Sequence, residues 1–126
     1  MRYLLDTHIF LWSLREPDKL SSEALAILKN TENIVYVSAA VSWGIFVKRA
    51  KGTLAFTGNI LKILDQQSFE PLPISHQHTT ALELLPAIHH DPFDRIMIAQ
   101  AVVEDLTLIT RDKMILRYEN VKLLKG

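Results

Sequence analysis

The sequence YLLDTH at residues 3–8 decides the fold class, because a short apolar run ends there in an acidic residue. Residues 2–5 are predicted to form a buried strand. Similar strand patterns recur later in the chain, at residues 34–37, 69–74, 106–110 and 121–125. Helical patterns separate them, at residues 8–15, 21–30, 38–50, 58–67, 75–85, 91–104 and 112–118. This alternation predicts an α/β fold with a mostly parallel central sheet flanked by helices.

Three aspartates stand where apolar segments of this pattern begin or end. Asp6 follows the first strand, Asp112 follows the strand at 106–110, and Asp94 lies at the start of the helix at 91–104. The two most continuously apolar strands are expected to be central, so their acidic residues should meet at one edge of the sheet. Converging carboxylates without any cysteine favour Mg²⁺ or Mn²⁺ over zinc. Taken singly, each aspartate is also explained as a helix cap.

Composition limits the remaining possibilities. The chain has 126 residues, 48% of them hydrophobic, which fits a single domain over residues 1–126. No apolar run is long enough for a membrane span, no secretory signal is recognisable, and cysteine is absent, so a cytoplasmic protein is expected. The 14 basic and 14 acidic residues balance, which argues against a bulk polyanion binder.

Other chemical groups give weaker signals. Lys48 and Arg49 belong to a small basic cluster that is either a nucleic-acid patch or an ordinary solvated surface. The spacing of the histidines does not suit zinc. One of the pair His89 and His90 is a candidate neighbour of the acidic cleft, although a loop histidine is more often plain surface. Gly44 lies in the middle of a predicted helix, where it costs about 1 kcal/mol relative to alanine.

Four stretches together resemble the PIN-domain family (PilT N-terminus-like), in particular the VapC-type toxins of bacterial toxin–antitoxin pairs. They cover essentially the whole chain: YLLDTH at 3–8, SAAVSWGI at 38–45 with Lys48 and Arg49, HDPFDR at 90–95 with IAQA at 98–101, and LITRD at 108–112. The resemblance implies a PIN-like three-layer sandwich. It also implies a metal-dependent endoribonuclease toxin, a VapB-like antitoxin partner, an RNA substrate and a homodimer, with no membrane association.

The resemblance also implies a cluster of four carboxylates. Asp6, Asp94 and Asp112 stand on three of its positions, and Gly44 stands where the family has a glutamate. Either a Glu→Gly replacement has disarmed the nuclease, or the chain is a naturally degenerate member. In the latter case it is an inactive PIN-fold module that still binds an antitoxin or RNA.

Roles for individual residues follow from this resemblance and from the charges. Asp6 and Asp112 are expected to be direct ligands of Mg²⁺ or Mn²⁺, and Asp94 a ligand either directly or through water. Three further residues are expected to support the site: Thr7, Asp91 and Thr110, the last by orienting a water or a carboxylate. Arg95 and Arg111 are expected either to contact phosphate or to hold the aspartates in place.

Two other enzyme classes fit the sequence less well. A haloacid-dehalogenase-like phosphatase needs an Asp-x-Asp motif after the first strand, but the third residue here is His8. A receiver domain needs adjacent acidic residues after the first strand and a phospho-acceptor aspartate after the third. Asp6 has no acidic neighbour, and the third predicted strand is followed by Ser75.

Overall fold

The computed structural model describes residues 1–126. Its five strands are β1 Arg2–Leu5, β2 Ile34–Ser38, β3 Glu70–Leu72, β4 Thr107–Thr110 and β5 Lys122–Lys125. Its six α-helices are α1 Thr7–Arg15, α2 Ser22–Lys29, α3 Ala39–Ala50, α4 Ile60–Gln66, α5 His76–Ala81 and α6 Pro92–Glu104. Three short 3₁₀ turns complete the structure, at Pro17–Lys19, Leu82–Leu84 and Ile115–Arg117. No helix is both long and apolar enough to cross a membrane.

All five strands run parallel in a single sheet with the order β3-β2-β1-β4-β5. The predicted parallel α/β fold is therefore confirmed, and β1 lies at the centre with β4 beside it. Leu5, the last residue of β1, pairs with Val37 of β2 and with Ile109 of β4. Because these strands end at the same level, the residues that follow them meet at one edge of the sheet.

Burial along the central strands shows that both faces of the sheet are covered. Leu4 and Leu5 are consecutive and have no exposed surface, and the same holds for Leu108 and Ile109. Successive side chains of a strand point to opposite faces, so both faces must pack against helices. Helix α6 supports this packing with an unbroken buried run from residue 96 to residue 101.

Two elements are shorter in the structure than predicted, and proline explains both differences. The strand predicted at 69–74 is only Glu70–Leu72, because Pro71 and Pro73 have no N–H to donate and β3 lies at an edge of the sheet. The helix predicted at 75–85 ends as α5 and a 3₁₀ turn, because Leu85 takes the extended conformation favoured before Pro86.

The segment predicted as a short helix at 112–118 also differs. It contains only the 3₁₀ turn Ile115–Arg117. Asp112 accepts hydrogen bonds from the N–H groups of Met114 and Ile115, so the segment begins as a capped turn that does not continue into an α-helix.

His78 fixes α5 against α6, the helix that carries Asp94. Its side chain is buried, its Nδ1 accepts from the N–H of Ser75, and its Nε2 lies 2.8 Å from Oε2 of Glu104. We expect His78→Ala to lower the free energy of unfolding by about 2–4 kcal/mol, because it leaves a cavity and an unsatisfied helix cap. Denaturant unfolding measures this. His76→Ala, at an exposed position of α5, is the control, and an equal loss in both variants would contradict the assignment.

Candidate metal centre

Asp6 is fixed in place where β1 ends. It is the N-cap of α1, with Oδ1 accepting from the N–H of Ile9 at 2.9 Å. Its own N–H donates to the carbonyl of Ile109 on β4, and its Oδ2 accepts from the hydroxyl of Thr110 at 2.5 Å. The side chain is buried, and both carboxylate oxygens already have partners within the protein.

Thr110 connects Asp6 to the second strand end. While its hydroxyl donates to Asp6, its oxygen accepts from the N–H of Asp112 at 3.1 Å. Oδ1 of Asp112 caps the following turn through Met114 and Ile115, as described above. The other oxygen, Oδ2, remains free to face the cleft.

The first turn of α6 brings in the third aspartate. Pro92 occupies the start of the helix, and Oδ1 of Asp91 accepts from the N–H groups of Phe93 and Asp94. Proline at the first position and an aspartate cap are both favourable at a helix start. Because Asp91 already caps the helix, Asp94 can direct its carboxylate into the cleft.

His89 lies between these two free carboxylates. Its Nε2 is 2.9 Å from Oδ2 of Asp94 and 3.5 Å from Oδ2 of Asp112. That nitrogen is buried and has no hydrogen bond of good geometry, because neither approach has the required direction. One donor atom from each of these three residues lies within 4.8 Å of the other two. Their separation is within the range that a shared metal ion requires.

The loop that carries His89 is held by tertiary contacts. Tyr118 Oη accepts from the N–H of His89 at 3.0 Å and donates to the carbonyl of Pro86. The guanidinium of Arg95 donates to the carbonyls of Leu82, Pro86 and His89 and to Tyr118 Oη. Arg95 therefore positions this loop and makes no ion pair with an aspartate.

Arg111 also has partners inside the protein. Its guanidinium donates to the carbonyl of Gly126 at 2.8 Å and lies 5.1 Å from the ring centre of Trp12. It makes no ion pair with Asp6, Asp94 or Asp112, so the structure gives neither of the two predicted arginines a direct contact with the acidic cluster.

Burial and mutual repulsion alter how these carboxylates ionise. Burial raises the pKa of Asp6, although hydrogen bonds from Thr110 and Ile9 offset part of the effect. Burial, followed by the negative charge of Asp91, raises the pKa of Asp94 to about 6, while His89 acts in the opposite direction. Without a cation, the folded protein therefore holds this site at a cost in stability.

Gly44 lines the same cleft on α3. A Cβ built on it would lie 3.5 Å from the ring of Phe93, which is ordinary van der Waals contact. Its backbone does not have a positive φ. The backbone geometry therefore does not require glycine here, and a Cβ fits beside Phe93.

The cleft brings together most of the residues predicted from the sequence and adds His8 and Phe93, for which the sequence predicted no role in the site. It is lined by Asp6, Thr7, His8, Gly44, Lys48, His89, Asp91, Phe93, Asp94 and Asp112. Lys48 follows Gly44 by one helical turn, a spacing that places both on one face of α3 and was visible in the sequence. Asp6 and Thr7 both line the cleft. Asp6, however, is not among the three residues whose donor atoms lie within 4.8 Å of one another, which are His89, Asp94 and Asp112.

Comparison with known proteins identifies the family. The family model described as the PIN domain matches residues 3–121. This chain belongs to the PIN-domain family. The family expected from the sequence is thus confirmed, and PIN domains are in general metal-dependent nucleases. No curated protein matches the chain significantly by sequence.

Solved structures share the fold of this PIN domain at low sequence identity. The DNA-bound VapBC complex from Salmonella typhimurium matches with a TM-score of 0.73 and 17% identity, covering 98% of this chain and 97% of that one. VapBC2 from Rickettsia felis, bound to a promoter DNA fragment, gives 0.68 and 18%, with 98% of each chain covered. FitAcB from Neisseria gonorrhoeae gives 0.65 and 23%, covering 99% and 97%.

The residues of this PIN domain fit a divalent cation. Asp94 and Asp112 each offer a carboxylate oxygen to the cleft, and hard oxygen ligands suit Mg²⁺ and Mn²⁺. The buried Nε2 of His89 has no directed partner and faces both oxygens. A cation between these three atoms would favour the ionised form of Asp94, whose pKa is raised first by burial and then by neighbouring negative charges.

Proposed function

We propose that this chain is a VapC-type toxin, an endoribonuclease that uses Mg²⁺ or Mn²⁺ to cleave RNA phosphodiester bonds. The observation that carries the proposal is the convergence of Asp94 and Asp112 with His89 in a cleft that also contains Asp6. Membership of the PIN-domain family supports a metal-dependent nuclease. The choice of RNA over DNA rests on the resemblance to VapC-type toxins.

Asp112 and Asp94 would hold the cation, together with Asp6 if its carboxylate exchanges one internal hydrogen bond for the ion. When bound, the cation supplies a water of lowered pKa and offsets charge on the phosphate. Thr110 keeps Asp6 and Asp112 in a fixed relation through its two hydrogen bonds. Lys48 lines the cleft and forms no salt bridge, so its ammonium group is free to meet a phosphate.

The partners belong to the same proposal. A VapB-like antitoxin would cover the cleft, a second copy of the chain would form a homodimer, and both would act in the cytoplasm. The fold is shared with the toxin–antitoxin complexes named above, which supports an antitoxin partner.

A second candidate function is a PIN-fold binding module that has lost its catalytic activity. It is favoured by Gly44, which brings no side chain to the cleft, although a Cβ there would make only ordinary van der Waals contacts. Such a module would bind an antitoxin or RNA through the same surface without cleaving RNA. The two candidates differ in whether the cleft binds a metal ion.

Calorimetric titration with Mg²⁺ and Mn²⁺ separates the two candidates. Under the nuclease proposal the protein binds one of these ions, and Asp112→Asn weakens binding about tenfold or more because a ligand charge is lost. Asp6→Asn is expected to weaken it as well. Asp105→Asn is the matched control, since Asp105 is exposed at the opposite edge of the sheet, just before β4. If the unaltered protein gives no heat of binding with either Mg²⁺ or Mn²⁺, the result favours the binding module.

A further inference from the structure

We propose that His89 is itself a metal ligand in this cleft and that it makes the site prefer a first-row transition ion such as Mn²⁺ over Mg²⁺. The inference rests on the proposed function, because it concerns the cation of that same site. It goes further in naming a nitrogen ligand and, from it, the class of ion.

The distances around Nε2 of His89 fit ligation. Two ligand atoms at right angles around a six-coordinate ion, each about 2.1 Å from it, lie about 3 Å apart. Nε2 is 2.9 Å from Oδ2 of Asp94 and 3.5 Å from Oδ2 of Asp112. Hydrogen bonding does not explain this arrangement, because Nε2 is buried without a directed partner. A cation bound to all three atoms would satisfy that nitrogen.

The loop fixes the backbone of His89 before any ion arrives. Arg95 and Tyr118 fix the backbone of His89 through its carbonyl and its N–H, respectively. The other ring nitrogen, Nδ1, accepts from the N–H of Asp91 at 3.2 Å, which is a long contact. Ligation through Nε2 places the ring proton on Nδ1, so this contact must open when the ion binds.

Because Gly44 supplies no carboxylate, a nitrogen ligand would have a large influence on which ion the cleft binds. Asp6 uses both of its oxygens within the protein, and Gly44 offers no side chain. The cleft therefore presents two free carboxylates and one imidazole. An all-oxygen set suits Mg²⁺, whereas imidazole is a ligand that transition ions bind more strongly. A mixed set of this kind predicts selection against Mg²⁺.

Pulsed electron paramagnetic resonance on Mn²⁺-loaded protein tests the inference without any assay of cleavage. With ¹⁵N-labelled histidine, the bound Mn²⁺ should show a nitrogen hyperfine coupling. His89→Gln should abolish that coupling, and His90→Gln, at the exposed neighbouring position, should leave it unchanged. Calorimetry should show the ratio of Mn²⁺ to Mg²⁺ affinity falling on the order of tenfold in His89→Gln. His89→Asp, which restores an all-oxygen set, should shift that ratio towards Mg²⁺.

The outcomes separate this inference from the proposed function. Mn²⁺ that binds without nitrogen coupling, or a coupling that persists in His89→Gln, overturns the role of His89 and leaves the proposed function standing. An unchanged affinity ratio in both His89 variants overturns it as well, and His89 is then only a close neighbour of Asp94. Failure of the unaltered protein to bind either ion overturns the metal-dependent function together with this inference.

Discussion

Gly44→Glu is expected to raise the rate of Mg²⁺- or Mn²⁺-dependent RNA cleavage by about 100-fold or more. The reason is that a carboxylate at this position adds ligand charge to the cleft formed by Asp94 and Asp112. A bound cation contributes several kcal/mol of charge stabilisation to a phosphoryl transition state, so the strength of its binding bears directly on rate. A time course of cleavage on labelled RNA, with and without chelator, measures the gain.

The fold is expected to accept this substitution. A Cβ at Gly44 meets the ring of Phe93 at an ordinary contact distance, and the helix gains up to about 1 kcal/mol when glycine is replaced. The introduced carboxylate would lie four residues before Lys48, a favourable arrangement for an ion pair on one helix face. Repulsion from Asp6, Asp94 and Asp112 opposes these gains until a cation binds.

Gly44→Gln is the matched control, because it has nearly the same size and helix propensity as glutamate but no charge. It should leave cleavage at the level of the unaltered protein. An equal gain in both variants would mean that helix stability, not metal ligation, limits the activity. If the unaltered protein already cleaves as fast as Gly44→Glu, the glycine does not disarm the nuclease.

The sheet was predictable because each strand is marked by a pattern of neighbouring residues in the sequence. The continuous apolar runs at 2–5 and 106–110 mark strands covered on both faces, and such strands occupy the centre of a parallel sheet. Each acidic residue at a strand end then falls at the same edge by geometry alone. The shortened β3 shows the limit of this reasoning, since prolines at 71 and 73 allow extended backbone but remove its hydrogen bonds.

The position of His89 was not predictable in the same way. It depends on contacts between residues far apart in sequence, above all the hydrogen bond from its N–H to Tyr118. Arg95, which was expected to contact phosphate or aspartates, instead holds the carbonyl groups of this loop. The contacts of a loop histidine or of a single helix arginine do not follow from the periodicity of the sequence. The sequence could therefore identify His89 and Arg95 as candidates but could not predict their partners. The cap role of Asp91, by contrast, follows directly from Asp-Pro at a helix start.

Asp94→Asn is expected to stabilise the metal-free protein at neutral pH while weakening its metal binding. The pKa of Asp94 in the folded protein is raised to about 6 from an ordinary value of 3.8, so ionising it disfavours the fold. Removing this charge should raise the free energy of unfolding at pH 7.5 by roughly 1–3 kcal/mol, since the side chain is 20% exposed. The melting temperature should rise by roughly 3–10 °C.

The pH dependence gives this prediction a definite sign. Because the pKa of Asp94 is higher in the folded than in the unfolded protein, the folded state binds its proton more tightly. The free energy of unfolding therefore falls as the pH rises from about 4 through 6. The advantage of Asp94→Asn should therefore be largest above pH 7 and vanish near pH 4. Asp18→Asn, on the exposed 3₁₀ turn, is the control and should give no such pH-dependent difference.

Saturating Mn²⁺ should reverse the order of stability. A ligand that binds only the folded state stabilises it in proportion to the logarithm of its concentration over its dissociation constant. The unaltered protein, which keeps the carboxylate of Asp94 for the ion, should then melt above Asp94→Asn. A stability advantage of Asp94→Asn that is equally large with and without Mn²⁺ would mean that Asp94 contributes no metal affinity. Burial, together with the neighbouring negative charges, disfavours an ionised Asp94 in the metal-free cleft. A cation would favour the same ionised carboxylate, so the melting difference should change when Mn²⁺ is added.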